Sequence, residues 1–497
     1  MAESSSEISS SENGMFNILK SVTKEGGAPR TGCLALPKRK LINTPNYIGL
    51  SSRGAIPHMT PDVVSKYTEF TGSYMALEDF IEKSQRRTQP AIFNVNVDGK
   101  EALHSYTATP TPLATVLGAR RHPAVVAPMG NGKDYVSVYT STGFQKLKNS
   151  EYHRAIERLQ PDIAIPLADL TFGNSHIRTK LPNPKRQLRM VERTEDWLAE
   201  LIKLRNADAD DEARKPPLFA PLLPVAYPTQ WEYLNRLSQD YVQYLSGLAV
   251  YDADILPDLG NHEALSSLPR ISMDFISSPQ EILRQVRLGI DMFTITFLNA
   301  ASDAGIALTF TFPPPSAKIG VYPLGIDMWS PDHQVSLEPL ANGCQCYTCS
   351  RHHRAYLQHL LNAKEMLGWT LLQIHNHHIL SEFFKGIRVA LIAEPSTFER
   401  DCSIFLEVYE SVLPKGTGER PRARGYHFKT EGGQSKINPP AWEKYGEGGT
   451  EDSTLAREIA GLAVTGATAE GGETPLVPDA ETDAKELDRK GFAEIDK

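Results

Sequence analysis

Residues 270–297, RISMDFISSPQEILRQVRLGIDMFTITF, contain the pattern that decides the fold. An apolar, strand-like run at 270–275 is followed by an amphipathic helical pattern at 278–289, and a second apolar run follows at 291–297. Nearly continuous apolar strands separated by a helix are typical of a parallel sheet that is covered on both faces. The stretch therefore predicts a strand–helix–strand unit.

The same alternation extends over most of the chain. Further apolar strand candidates lie at 135–140, 162–169, 218–225 and 247–252, with helical patterns between them. At least six such units favour a closed (β/α)8 barrel of the TIM type over an open doubly wound sheet, although the pattern alone allows both. We therefore predict an α/β fold whose main domain, residues 25–412, is a TIM-type barrel.

The two ends of the chain differ in composition from the barrel domain. Residues 1–24 are acidic and rich in serine, and residues 413–497 are rich in glycine, alanine and acids, so we expect both ends to be mostly disordered. The formal net charge of the 497-residue chain is −8, and residues 451–497, with 12 acids and 5 bases, account for −7 of it. The nearly neutral barrel domain neither repels nucleic acid nor indicates an RNA-binding protein.

Targeting and membrane signals are missing from the sequence. No run of about 18 apolar residues is present, so we expect no integral membrane segment. The N-terminus has neither the apolar stretch of a signal peptide nor the arginines of a transit peptide. Five cysteines, mostly clustered, do not resemble a secreted disulfide framework. We predict a cytoplasmic protein and leave open a peripheral association with an organelle surface.

Three of the five cysteines, Cys344, Cys346 and Cys349, lie in the stretch NGCQCYTCSRHHR at 342–354. Zinc takes four nitrogen or sulfur ligands in a tetrahedron, and a Cys-x-Cys-x-x-Cys turn brings three thiolates to one side. Three cysteines and one histidine leave no open position, so we predict one structural Zn²⁺ per chain, in a subdomain at about 340–380. A thiol redox pair is the alternative. The residues leave the fourth ligand open among His352, His353, His359, His375, His377 and His378.

Two helices are predicted around these histidines. Residues 350–367 have the pattern of one helix that leads away from the cysteines. Residues 370–384 have the pattern of a second helix, which would return antiparallel after a break at Gly368. The second helix would carry a histidine back to the cysteines.

The sequence resembles the tRNA-guanine transglycosylase family over residues 28–400. The resemblance is carried by the cysteine motif, by the histidine 26 positions after its last cysteine, and by stretches such as SGLAV at 246–250. Members of this family are zinc-containing barrels that exchange a guanine in the anticodon of tRNA for queuine or a precursor. The resemblance implies that His375 is the fourth zinc ligand and that His377 and His378 are bystanders.

The resemblance also implies where the two catalytic carboxylates of the family would stand. The nucleophilic aspartate aligns with Thr294, and the aspartate that transfers protons aligns with Thr140. An oxocarbenium-like centre requires a carboxylate nucleophile, and a threonine hydroxyl lacks the low pKa of that group. Asp291 precedes Thr294 by three residues and faces the other side of the strand, so we expect a structural role for it.

The positions that read the base are altered as well. The glutamine of the family's base pocket aligns with Leu223 and Pro224. A further acid aligns with Ala168, although a shift of one residue would bring Asp169 into register. Together with the two threonines, these changes predict that the chain alone is not catalytic.

Eukaryotic members of the family include an accessory subunit of this kind, and the resemblance is closest to it. It implies a heterodimer with a catalytic subunit of the same fold, in which guanine is exchanged for queuine at the wobble position of tRNAs with GUN anticodons (Asp, Asn, His and Tyr). The chain would support the catalytic subunit and meet tRNA through the complex. Two alternatives stay open: an active transglycosylase with a non-standard nucleophile, and a queuine-binding or salvage protein.

Basic residues available for phosphate contacts lie at 120–122 and 184–189 and at Arg351 and Arg354. The last two stand beside the cysteine motif, where a bound metal would hold their backbone rigid. Bacterial members of the family dimerise through surfaces that include the zinc region. Arg351 and Arg354 are therefore the predicted contacts to RNA or to the partner.

Overall fold

The computed structural model of the protein describes part of the chain. The described residues are 15–21, 27–81, 90–95, 101–125, 127, 130–140, 143–170, 182–207, 215–315, 320–418 and 421. The disorder expected for 1–14, for 22–24 and for most of the tail at 413–497 lies outside these residues.

The elements of the described chain are as follows. The strands are β1 (Phe16–Ser21), β2 (Arg30–Leu34), β3 (Ile42–Thr44), β4 (Asn46–Leu50), β5 (Gly72–Ala76), β6 (Ala114–Gly118), β7 (Tyr135–Thr140), β8 (Gly143–Lys148), β9 (Ile163–Ala164), β10 (Phe219–Leu222), β11 (Gly247–Val250), β12 (Arg270–Ser272), β13 (Met292–Thr294), β14 (Ile306–Leu308) and β15 (Gly325–Asp327). The α-helices are α1 (Pro61–Tyr67), α2 (Ala102–Thr107), α3 (Asn149–Leu159), α4 (Pro184–Ala207), α5 (Tyr227–Arg236), α6 (Glu263–Ser266), α7 (Pro279–Arg287), α8 (Thr296–Asp303), α9 (Tyr347–Arg351), α10 (Arg354–Asn362), α11 (Met366–Ala393) and α12 (Pro395–Val408). Among these described helices, none is both long and apolar enough to cross a membrane.

Eight parallel strands form a barrel. Their order around the barrel is β4, β5, β6, β9, β10, β11, β12 and β13, so each strand pairs with the next barrel strand of the chain, and β13 pairs back with β4. Between β9 and β10 the pairing is a single parallel bridge from Ala164 to Leu218. The predicted TIM-type barrel is confirmed, and its closure is nearly complete.

The barrel interior is filled with apolar side chains. They include Ile48, Leu50, Tyr74, Val116, Ile163, Phe219, Ala249, Ile271 and Met292. Leu34 and Ile42 of the β2–β3 hairpin belong to the same cluster, so the hairpin covers the N-terminal end of the barrel. Because side chains alternate along a strand, Phe293 packs against the surrounding helices while Met292 and Thr294 point inward.

The strand predicted at 135–140 is present but lies outside the barrel. It is β7, which pairs antiparallel with β8 in a hairpin that runs from Tyr135 opposite Lys148 to Thr140 opposite Gly143. The fourth barrel strand is β9, within the predicted run at 162–169. Apolar patterning identifies a buried strand, but it does not specify the sheet that the strand joins.

Residues 16–21 lie in the segment that was expected to be disordered, and that expectation is wrong for them. They form β1, an edge strand that pairs antiparallel with β2. The serine-rich, low-complexity sequence ends before FNILKS at 16–21. In that stretch half-buried and exposed residues alternate, as in a strand with one face covered.

Candidate functional site: a metal centre and the barrel mouth

The three clustered cysteines lie on a turn that leads into α9. Gly343, just before Cys344, has a φ of +77°, in the left-handed region that glycine adopts without strain. Cys346 is the N-cap residue of α9, and its Sγ accepts a hydrogen bond from the backbone N–H of Cys349 at 3.3 Å. The turn therefore places the thiols on one side of the backbone.

His375 reaches the cysteines from α11 and is fully buried. Its Nδ1 lies 3.7, 3.5 and 3.4 Å from the Sγ atoms of Cys344, Cys346 and Cys349. Its Nε2 lies 2.9 Å from the carbonyl oxygen of Leu308, which can only accept a hydrogen bond. The proton of the neutral ring is thus on Nε2, and the lone pair of Nδ1 points at the sulfurs. The structure brings the four predicted metal-binding residues together.

The geometry of this cluster fits a tetrahedral metal site. Its four ligand atoms lie within 4.8 Å of one another. Zinc–sulfur and zinc–nitrogen bonds of ordinary length place the two ligand atoms about 3.5 Å apart in a regular tetrahedron. The separations of 3.4–3.7 Å from Nδ1 to the sulfurs match that value. All five cysteines are free thiols.

Hydrogen bonds around the cluster fix α11 to the barrel domain. The side chain of Asn376 accepts a bond from the N–H of Leu308 at 2.8 Å and donates to the carbonyl of Ile306 at 2.9 Å. Thr348 of α9 donates its hydroxyl to the carbonyl of Leu371 on α11 at 2.7 Å. The ligand-bearing helix is thus bound on one side to β14 and on the other to the cysteine turn. Sequence patterns alone did not identify Asn376 or Thr348.

The helices around the histidines differ from the prediction. The predicted helix at 350–367 is divided into α9 and α10, and α11 already begins at Met366. The turn before α11 is made at Lys364, whose φ is +58°. Gly368 does not break a helix. A Cβ at that position would lie 3.2 Å from side-chain atoms of Leu360 and Leu361, so glycine allows α11 to approach α10 closely.

The other histidines have separate roles. His377 is buried, with Nδ1 3.0 Å from the hydroxyl of Tyr47, and burial lowers its pKa to about 3. His353 is the N-cap residue of α10 and accepts a bond from the N–H of Tyr356 at 3.2 Å. His378 is half-buried next to Cys344, which raises the pKa of its ring. It is not one of the four residues whose ligand atoms lie close to one another in the described chain.

Thr294 and Asp291 lie at opposite ends of β13. Thr294 is fully buried, and its hydroxyl donates to the carbonyl oxygen of Ser272 at 2.7 Å. Asp291 immediately precedes β13, where its carboxylate accepts bonds from Nε of Arg30 at 3.0 Å and from the backbone N–H of Arg270 at 2.8 Å. Asp291 has the structural role expected of it, since it neutralises buried arginine at the N-terminal end of the barrel.

Thr140 closes the β7–β8 hairpin. Its hydroxyl donates to the carbonyl of Gly143 at 2.9 Å and accepts a bond from Nε2 of Gln145, also at 2.9 Å. The side chain is fully buried. Its hydroxyl hydrogen is therefore directed at a carbonyl oxygen, as in Thr294.

A small cavity of about 60 Å³ lies at the C-terminal ends of the barrel strands, where barrel enzymes hold their active sites. Ala168, Pro224 and Arg120 are among the residues that line it. Asp169 does not line it. Its buried carboxylate is bound by Arg186 at 2.8 Å and by Arg193 at 3.1 Å. A shift in register therefore does not restore an acid to the pocket.

The two arginines beside the metal centre differ in their surroundings. Arg351, the last residue of α9, is exposed. Arg354 is mostly buried and pairs with Glu338 at 3.1 Å, while its Nε donates to the carbonyl of Pro339 at 2.9 Å. Arg354 thus holds the 338–340 loop against α10, and Arg351 is the more accessible of the two.

Aromatic rings form a continuous row on the surface of the metal subdomain. Ring centroids are 4.3 Å apart between Tyr67 and Tyr347, 5.7 Å between Tyr347 and His352, and 5.4 Å between His352 and Tyr356. In the loop that precedes the cysteines, Val335 is 87% exposed and Leu337 is 76% exposed. Exposed apolar groups of this density are typical of a protein-binding surface.

Comparison with known proteins adds independent information. The family model described as queuine tRNA-ribosyltransferase matches residues 25–411. The queuine tRNA-ribosyltransferase accessory subunit 2 of Schizosaccharomyces pombe is 34% identical over 413 residues, which are 82% of this chain and 87% of that protein. The proteins of the same name from Culex quinquefasciatus and Anopheles gambiae are 25% and 27% identical over 75% and 74% of this chain, and over 86% and 85% of their own lengths.

Proposed function

The chain belongs to the queuine tRNA-ribosyltransferase family, and on that basis we propose that it is a non-catalytic accessory subunit of this transferase. In the proposed cytoplasmic heterodimer, a catalytic subunit of the same fold exchanges guanine for queuine at the wobble position of tRNAs with GUN anticodons. The present chain supports that subunit and helps to hold the tRNA.

The observation that carries the proposal is the state of the two threonines that replace the family's carboxylates. The hydroxyls of Thr294 and Thr140 both donate to backbone carbonyls, at 2.7 and 2.9 Å. A hydroxyl nucleophile needs a base to take its proton, and here each hydroxyl hydrogen is directed at a backbone carbonyl oxygen, which is too weak a base to take it. Glycosyl transfer from tRNA therefore depends on the partner subunit.

The size of the barrel-mouth cavity argues against the two alternative functions. Pockets for small molecules typically measure about 300–1,000 Å³. The cavity here has a volume of about 60 Å³ and is lined by Arg120 and Pro224 where the family reads a base. A fused-ring purine does not fit this volume, whether as a substrate or as stored queuine.

We assign Cys344, Cys346, Cys349 and His375 to one Zn²⁺ with a structural role. Four protein ligands leave no coordination position for water or substrate. Bound zinc would join the cysteine turn to α11, and the Nε2 hydrogen bond of His375 to Leu308 would extend that connection to β14. The metal would therefore stabilise the face that carries the aromatic row.

That face is the proposed docking surface for the catalytic subunit, and Arg351 is the proposed contact to RNA. The aromatic row and the exposed Val335 and Leu337 supply apolar area for a protein partner. Arg351 lies at the edge of the same face and is free to reach a phosphate, whereas Arg354 positions the loop from within.

Guanine exchange into tRNA tests the proposed function. We expect no incorporation of labelled guanine by the purified chain, and incorporation when the family's catalytic subunit is added. Sedimentation should show a one-to-one complex in the active mixture. Exchange by the chain alone, at a rate comparable to the mixture, would disprove the assignment and require a nucleophile other than Thr294.

Two variants should separate protein docking from RNA contact. We expect Leu337→Glu to weaken the heterodimer about tenfold or more, because a charge would be buried in the interface. We expect Arg351→Ala to leave the heterodimer intact, to weaken tRNA binding by the complex, and to lower the slope of log affinity against log salt by about 1. Calorimetry of the two subunits and tRNA binding at several salt concentrations measure both effects.

The matched controls are Leu19→Glu and Arg158→Ala, which change an exposed leucine on β1 and an exposed arginine on α3, both outside the metal subdomain at 340–380. Both should behave as the unmodified chain. If Leu337→Glu binds the catalytic subunit with full affinity, the docking surface lies elsewhere. An unchanged salt slope in Arg351→Ala would remove that residue from the RNA contacts.

A further inference from the structure

Arg120 is a half-buried cation with an incomplete set of partners. It follows β6 at the C-terminal mouth of the barrel and lines the cavity there. Its Nη1 donates to the carbonyl of Leu170 at 2.6 Å, and its Nη2 donates to Oδ1 of Asn131 at 2.7 Å. Its Nε is inaccessible to solvent and has no hydrogen-bond partner among the described residues. Both of its partners are neutral.

The acids near Arg120 are already neutralised by other arginines. Asp169 is bound by Arg186 and Arg193. Asp79 and Glu78 both pair with Arg121, the next residue along the chain. Within the described chain, no carboxylate lies in salt-bridge distance of Arg120. Buried charges in proteins are normally paired, and an unsatisfied buried donor beside a cavity often marks an ion or water that belongs there.

The rest of the cavity wall favours an acceptor-rich guest. Tyr251 also lines the cavity, and its hydroxyl forms no hydrogen bond with a described residue. Burial raises the pKa of this hydroxyl to about 12, and the nearby Arg120 opposes that shift, so the hydroxyl is a proton donor at neutral pH. Burial lowers the pKa of His122 to about 4, so its ring adds no charge. The carboxylate of Asp274 is engaged by the N–H of Phe275 at 2.8 Å.

We propose that the barrel mouth binds a small oxyanion of the size of phosphate, held by the guanidinium of Arg120 and the hydroxyl of Tyr251. A volume of about 60 Å³ admits about four water-sized groups, which suits a single tetrahedral anion and excludes a nucleoside. The anion would supply a counter-charge in direct contact with Arg120, which no described carboxylate does. Its wall includes Ala168 and Pro224, which align with the positions that contact the base in the family.

Titration of the purified full chain with inorganic phosphate tests this site. Sodium chloride at equal ionic strength controls for charge screening. Phosphate is also a kosmotrope that stabilises proteins in proportion to its concentration, so saturation is the property that distinguishes a bound anion. We expect phosphate to raise the unfolding midpoint saturably and to give a one-site isotherm by calorimetry. A linear rise without saturation, or an equal effect of chloride, would mean that the cavity holds only water and would overturn the proposal.

Variants locate the bound anion. Arg120→Gln keeps a hydrogen-bonding side chain but loses the charge, and should weaken phosphate binding about 10- to 100-fold. Tyr251→Phe should weaken it about 3- to 10-fold, and Arg120→Lys should restore part of the affinity. Arg158→Gln, an exposed arginine remote from the cavity, should bind as the unmodified chain does. Full affinity in both Arg120→Gln and Tyr251→Phe would exclude the site. If Arg120→Gln does not fold, Tyr251→Phe and the isotherm of the unmodified chain decide the question.

Discussion

The Cys349→Ala variant is expected to bind no zinc and to lose more than about 4 kcal/mol of its free energy of unfolding. The cysteine turn joins α9 to α11 through the proposed metal, and apart from the metal-binding residues themselves, the side chain of Thr348 bridges the same two helices by a hydrogen bond. A small apolar core that includes Leu357, Leu361 and Trp369 lies beneath the turn. Part of the subdomain should therefore persist without the metal, while the turn itself unfolds.

Metal analysis and urea unfolding measure this effect. The unmodified chain should contain one zinc ion per molecule, and Cys349→Ala should contain none. Cys33→Ala is the matched control, because Cys33 is a half-buried cysteine on β2, far from the cluster in sequence, and its loss should leave the zinc in place. A chelator should bring the unmodified chain to the stability of the variant. A full zinc content in Cys349→Ala would contradict the assigned ligand set.

The Asp291→Ala variant is expected to lose about 3–5 kcal/mol of its free energy of unfolding. Asp291 is the carboxylate between Arg30 and Arg270, and all three side chains are buried. Burial, and next the charge of Arg30, lower the pKa of Arg270 to about 9 while Asp291 raises it. Without the carboxylate, two guanidinium groups would remain buried in mutual repulsion. The cost of that arrangement is much larger than the loss of one hydrogen bond.

Urea unfolding of three variants tests this explanation. Thr294→Val, on the same strand, should cost only about 1 kcal/mol, because it removes a single neutral hydrogen bond. Asp291→Ala combined with Arg30→Met should recover part of the stability, since one of the two stranded charges is then absent. If Asp291→Ala and Thr294→Val were equally stable, the arginine–aspartate cluster would not hold the N-terminal end of the barrel together.

The barrel and the four metal-binding residues could be predicted from the sequence, because each leaves a local signal. Parallel strands are buried on both faces and appear as apolar runs, and the cysteines of the turn are adjacent in the chain. The family resemblance then selected His375 among six histidines. Pairing between distant segments leaves no such signal. The strand at 135–140 was therefore assigned to the barrel, whereas it pairs with β8, and β1 was missed beside a serine-rich segment.

Contacts between side chains that are far apart in the chain could not be predicted from the sequence either. A shift of one residue in the alignment would place Asp169 at the position of a catalytic acid. Only its ion pairs with Arg186 and Arg193 show that it does not face the pocket. Gly368 was predicted to break a helix. It lies within α11 instead, where the absence of a side chain allows α10 and α11 to pack closely. The hydrogen bonds of Asn376 to Leu308 and Ile306 and the incomplete surroundings of Arg120 depend on segments far apart in the chain.

The barrel can close only late in translation, because its first strand pairs with its last. β4, at residues 46–50, pairs with β13 at 292–294, and Tyr47 of β4 donates its hydroxyl to the carbonyl of His377 on α11 at 3.0 Å. Ribosomes add about 5–20 residues per second, so β4 waits roughly 20 to 70 s for its last neighbours to be synthesised. Until β13 is synthesised, the edge of the unfinished sheet that β4 forms has no strand to pair with. Chaperones that shield strand edges would therefore have their main opportunity on this protein before translation ends.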